Sequence, residues 1–159
     1  MKKFLTLCNI LSVSLGLVLL AATTPAHSES PRLISQVLPG TTTVVVVAEG
    51  AHEPRSIGSY SLRFYRGANP RFPYDDFIAG LIRPRNGTLE RVLFADLDRD
   101  GRSDVIVVMR SAGTGGYQSA DALALQGKHV LLLASVSGLS KDADPLRALQ
   151  DKLAYHTAE

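Results

Sequence analysis

The chain has 159 residues, 17 Lys+Arg against 15 Asp+Glu, and one cysteine. Lys2, Lys3 and Cys8 all fall in an N-terminal segment that reads as a removable export signal, so the remainder of the chain carries balanced charge and no thiol. Balanced charge argues against a nucleic-acid partner, and the missing thiol excludes a disulfide framework, thiolate zinc and a cysteine nucleophile.

In chain order, Met1-Lys2-Lys3 is a basic start, Phe4 to Ala22 an apolar run, and Thr23 to Ser28 a stretch of small residues around Pro25. That order predicts a secretory signal over residues 1–28. Thr24 and Ala26 suit cleavage after Ala26; Ala26 and Ser28 suit cleavage after Ser28. The rival is an uncleaved anchor, since the apolar run is near the lower limit of about 17 residues for a spanning helix. Pro25 and the small residues around it favour cleavage. Residues 29–159 are then expected as one periplasmic domain, and no later segment is apolar enough to span a membrane.

Residues 29–41, with Pro31, Pro39 and Gly40, read as an irregular lead-in. Thr42 to Ala48 is a β-branched run and a predicted strand. Ser59 to Arg66 alternates, with Tyr60, Leu62 and Phe64 on one face, which predicts a half-buried strand. Gly67 to Asp76 is a loop and Phe77 to Ile82 a strand. Pro84-Arg85-Asn86-Gly87 is expected to be a hairpin turn into Leu89 to Ala95, because Asn-Gly supplies positive-φ positions. Val105 to Arg110 is apolar enough to be a central strand. Gln118 to Leu125 and Lys128 to Val136 flank Gln126-Gly127 as a second hairpin. Asp144-Pro145 is an N-cap with proline at the first helical position, and Leu146, Leu149 and Leu153 share a face of a helix over about residues 145–156. The succession of strands argues for a mainly β fold: an antiparallel β-sandwich or flattened barrel, with one short C-terminal helix.

Two loops are candidates for chemistry. Asp96, Asp98, Asp100 and Asp104, with Gly101 between, form a D-x-D-x-D-G-x-x-D pattern whose alternate carboxylates can converge on a calcium ion. The position of the closing glutamate of a helix-loop-helix calcium site is Val107, so the pattern suits a loop between strands. A polar turn neutralised in part by Arg99 and Arg102 explains the same residues. Ser111-Ala112-Gly113-Thr114-Gly115-Gly116-Tyr117 is a glycine-rich, hydroxyl-bearing stretch ending in an aromatic anchor. A phosphate loop would need a Gly-Lys-Ser/Thr ending and a following helix, and has neither. A mobile connection and a narrow binding loop both remain consistent with it.

Arg110 to Asp121 resembles the signature stretch of the periplasmic inhibitors of I-type (invertebrate-type) lysozyme. The similarity continues in Phe77 to Pro84, in the acidic loop with Val105 to Val108, and in Ala134 to Leu139 with Ala143 to Pro145. The resemblance implies a β-sandwich that inserts a loop into the cleft of I-type lysozyme. Its tyrosine role falls on Tyr117 and its serine role on Thr114, which keeps the hydroxyl and adds a methyl. Gly113, Gly115 and Gly116 complete the inserting loop, and Ser111 and Ser119 are expected to brace it. Related inhibitors can pair, which makes a homodimer a further expectation. Arg63, Arg66, Arg71, Arg83 and Arg85 read mostly as solvated strand edges.

A calcium-dependent extracytoplasmic β module is the alternative of a different class. An enzyme is a weaker third: His52, His129 and His156 have no metal-pair spacing, no Gly-x-Ser-x-Gly elbow is present, and the adjacent Asp75 and Asp76 suit a loop end better than an acid/base pair.

Overall fold

The computed structural model describes residues 30–157. The export signal and its cleavage point lie outside them. Eight strands and one helix run in order: β1 (Leu33–Val37), β2 (Val44–Glu49), β3 (Ile57–Tyr65), β4 (Phe77–Asn86), β5 (Thr88–Ala95), β6 (Asp104–Arg110), β7 (Gln118–Gln126), β8 (His129–Leu139) and α1 (Pro145–Thr157). They form two four-stranded antiparallel sheets, β1-β2-β3-β4 and β5-β6-β7-β8, each a simple meander. The two meanders stack as a sandwich.

Strand alternation builds the core between the sheets. Val45, Val47, Tyr60, Leu62 and Phe64 from the first sheet meet Leu89, Val92, Val105, Val107, Met109 and Leu123 from the second. The second sheet is covered on its other face as well. There Ile106, Val108, Ala120, Ala122 and Ala134 pack with Leu97 and with Leu149 of α1, flanked by Leu146 and Leu153. This double burial explains why Val105 to Val108 has no polar alternation: β6 has no solvent face. The alanines of β7 leave room for the helix axis. Asp144 caps that helix as its sequence position implies, its Oδ1 accepting from the Leu146 N–H at 2.9 Å.

A buried polar cross-link joins the sheets. The Tyr60 hydroxyl donates to Asp121 Oδ2 at 2.7 Å, and Arg83 Nε donates to the same oxygen at 3.2 Å. Burial first, then the neighbouring Asp121 charge, pushes the Tyr60 phenol far above its ordinary range.

Three sequence expectations need correction. Residues 29–41 are not all irregular, because Leu33–Val37 pairs antiparallel with Val44–Ala48. This edge strand turns little but Ile34 toward the core, so its sequence lacks a period-two signal. Pro84 to Gly87 is not a hairpin turn either. β4 continues through Pro84 and Arg85 to Asn86, opposite Ile57 to Ser59 of β3, whereas β5 pairs with β6. The chain therefore changes sheets at Gly87, whose φ is +93°. Pro84 is tolerated because β4 is an edge strand. Finally, Arg85 is no solvated edge but 3% exposed. Its guanidinium donates to the carbonyls of Pro54, Arg55, Ser59 and Gly87, and so holds the corner where the sheets exchange.

Candidate functional site

The chain leaves β6 at Arg110 and re-enters the sheet at Gln118, which are partners in register. The seven intervening residues must therefore protrude. The Ser111 N–H donates to the Tyr117 carbonyl at 2.8 Å and closes the neck. Within the loop, the Gly116 N–H donates to the Gly113 carbonyl at 3.2 Å. Gly116 has φ +56°, a left-handed geometry that glycine adopts without steric cost. Ala112 to Gly115 are exposed at the tip, which leaves the Thr114 side chain facing solvent. Tyr117 is 57% exposed. Its ring lies against Gly115, where a Cβ would stand 2.5 Å from the ring edge. The two glycines therefore do different things: Gly116 sets the turn and Gly115 makes room for the anchor.

The base of the loop is held by charge. Arg110 Nε and Nη2 donate to the two oxygens of Glu90 at 2.7 and 2.9 Å, a bidentate pair between β6 and β5. The remaining nitrogen, Nη1, donates to the Gly116 carbonyl at 2.8 Å. The bond to Arg110 holds the Glu90 carboxyl below its usual range. The same pairing raises Arg110. Gln118, 2% exposed, closes the other side, donating to the Lys141 carbonyl at 2.6 Å and accepting from Arg91 Nη2 at 3.2 Å.

Of the loop residues singled out in the sequence, Gly113 to Tyr117 form the protrusion. Ser111 sits at its neck with a buried hydroxyl that has no hydrogen-bond partner among the described residues. Ser119 lies on β7 and lines a cleft of about 380 Å³ beside Arg83 and Asp121, away from the tip. Sequence reading missed Glu90, Arg91 and Gln118. Gln118 adjoins the motif, but Glu90 and Arg91 become neighbours of the loop only through the register of β5 on β6.

The acidic loop stands apart. Ligand atoms of Asp96, Asp98 and Asp104 lie within 4.8 Å of one another, while Asp100 is outside that group. The Asp100 carboxylate instead accepts from the Arg102 N–H at 2.8 Å. Asp104 accepts from the Leu97 N–H at 2.8 Å. Burial, with added repulsion from Asp98, Asp100 and Asp96, pushes its carboxyl up to about 6 against that opposing bond. This loop precedes β6 and the glycine loop comes after it. At ~3.3 Å per residue the strand puts them roughly 20 Å apart.

A β-sandwich carrying a closed, protruding loop with an exposed tyrosine at its side has the architecture of a loop-presenting protein. The comparisons are specific about which kind. Residues 32–153 match the family described as periplasmic lysozyme inhibitor of I-type lysozyme. The chain belongs to that family. The crystal structure of the Aeromonas hydrophila inhibitor PliI-Ah is 42% identical with a TM-score of 0.68, covering 74% of this chain and 98% of that one. The A. hydrophila inhibitor in complex with Meretrix lusoria lysozyme is also 42% identical, with a TM-score of 0.70 over 75% of this chain and 95% of that one. No curated protein sequence matches the chain.

Proposed function

We propose that this protein inhibits I-type lysozyme in the periplasm, after removal of its export signal, by placing the Ser111–Tyr117 loop in the enzyme's active-site cleft. One observation carries the reading: the loop is closed at its neck and braced at its base, yet exposes the Thr114 and Tyr117 side chains at its end. Family membership and the relative's complex with a lysozyme supply the target class.

The chemistry suits a glycosidase. Such enzymes hold two carboxylic groups facing each other across the substrate. The hydroxyls of Thr114 and Tyr117 and the backbone N–H groups of the tip are donors that can engage those carboxyls. The loop has no glycosidic bond to cleave. Hydrogen bonds to an ionised carboxylate are about twice as strong as neutral ones. A loop already held in shape loses little conformational freedom on docking. The glycines keep it narrow enough to enter.

The test is residual lytic activity of I-, C- and G-type lysozymes against a titration of the mature protein. Selective loss of I-type activity near a one-to-one ratio is expected. Full I-type activity at a large excess of inhibitor rules the function out.

A further inference from the structure

The register of the second sheet places another loop beside the inhibitory one. Gln118 pairs with Leu139, so Tyr117 and Ser140 leave the sheet side by side. The pairing shifts between Gln118 and Ala120, where β8 sets two residues, Ser137 and Gly138, against the single Ser119 of β7. Gly138 has φ +70°. Such a bulge bends the strand, and here the chain then enters a turn over Ser140–Ala143, closed by the Ala143 N–H on the Ser140 carbonyl at 3.1 Å. Lys141 is exposed in this turn. Its Cβ is 3.7 Å from where a Cβ on Gly116 would stand, so the two loops lie side by side.

The loops also share one anchor. Glu90 on β5 accepts from both Arg110 and Arg91. Arg110 passes on to the Gly116 carbonyl of the glycine loop. Arg91 passes on to Gln118 Oε1, and Gln118 Nε2 reaches the carbonyls of Lys141 at 2.6 Å and Ala143 at 3.4 Å in the second turn. A single carboxylate on a neighbouring strand thus ends in both loops. The negative charge of Asp142 acts on Arg110, and Lys141 forms no ion pair among the described residues.

We propose that the Ser140–Ala143 turn is a second contact element of the inhibitory surface, with Lys141 presented to the carboxyl-bearing cleft of the target and Glu90 and Gln118 as the residues that position it. This rests on the reading of the glycine loop as the inserting element. A cation at the edge of such a surface acts mainly on association rate and its salt dependence, because its field guides the approach. The positioning residues act on how long the docked state lasts.

The experiment measures association and dissociation rate constants of the mature protein on Meretrix lusoria lysozyme at low and moderate salt, with melting temperatures recorded alongside. Lys141→Ala is expected to slow association about tenfold at low salt, and less at moderate salt, with an unchanged melting temperature. Gln118→Leu is expected to speed dissociation. In that background Lys141→Ala should lose most of its effect, because the turn no longer holds the lysine in place. A purely structural role for Gln118 would leave the Lys141→Ala effect the same in both backgrounds and would overturn its positioning role. Tyr117→Ala separates the two levels. If it binds weakly while Lys141→Ala and Lys141→Glu associate like the wild type at low salt, the second contact is wrong and the glycine loop stands. If Tyr117→Ala also binds like the wild type, the glycine-loop reading falls and this inference falls with it.

Discussion

The hydroxyl of Tyr60, on one sheet, donates a 2.7 Å hydrogen bond to the carboxylate of Asp121, on the other, and both residues are buried. Tyr60→Phe keeps the ring and removes the donor, so Asp121 is left with Arg83 alone. Losing one hydrogen bond to a charged group costs about 1.5–3 kcal/mol. The urea midpoint should fall accordingly with an unchanged slope, while inhibition of lysozyme by the folded variant stays at the wild-type level. An unshifted midpoint would mean that the cross-link contributes nothing net.

Tyr117 is the exposed anchor of the proposed inserting loop. Tyr117→Ala should weaken inhibition by about 2 kcal/mol or more, the scale of a central interface aromatic, without moving the melting temperature. Thr114→Ser, which keeps the hydroxyl, should inhibit at least as well as the wild type. Thr114→Val, which has the shape without the hydroxyl, should inhibit less. Inhibition titrations of the three variants check this, and equal inhibition by Thr114→Val would remove the hydroxyl from the mechanism.

Gly87 lies where the chain crosses between sheets, with φ +93° and the Arg110 carbonyl against the position a Cβ would take. Gly87→Ala forces both a strained backbone and a displaced neck of the glycine loop. The expected loss is about 2–3 kcal/mol of stability, together with weaker inhibition, because Arg110 leads into that loop. Gly127 has a positive φ too, but open space around it. Gly127→Ala should therefore cost less, about 1 kcal/mol, and leave inhibition intact. Thermal melts with paired inhibition assays distinguish the two.

Asp104 has a carboxyl raised from 3.8 to about 6. The folded chain thus binds this proton more tightly than the unfolded chain. The resulting stability is fully present below the unfolded value and is lost as pH rises through about 6. Asp104→Asn can still accept from the Leu97 N–H but does not ionise. The melting temperature of the wild type relative to Asp104→Asn should therefore fall as pH rises from about 4 to 7 and level off above. A constant difference across that range would show that burial does not shift Asp104.

The acidic loop and the glycine loop lie at opposite ends of β6. Adding calcium, or removing it with a chelator, should therefore leave the inhibition titration unchanged. A chelator that abolishes inhibition would tie the two ends together. A calcium-dependent melting temperature with constant inhibition would make Asp96, Asp98 and Asp104 a stabilising site only.

Much of this protein could be read from local pattern. Alternation in Ser59 to Arg66 marked its core face, the unbroken apolar run of β6 marked a central strand, and Asp144-Pro145 marked the helix start. Each of these is written in residues close together in the chain. The protruding loop was visible for the same reason, since glycine spacing and a terminal tyrosine are local properties. What tertiary structure alone decided is non-local. Leu33–Val37 became a strand through backbone bonds to β2, which side-chain periodicity does not encode. Asn86-Gly87, which fits a hairpin by composition, became a crossing between sheets because Arg85 is buried at that corner and β5 finds its partner in β6. Glu90 lies 20 positions before Arg110, yet register sets their side chains in contact and so fixes the base of the loop. Hydrophobic period and turn chemistry specify elements, whereas which strand pairs with which, and hence which charges meet, is settled only when the two sheets close over their shared core.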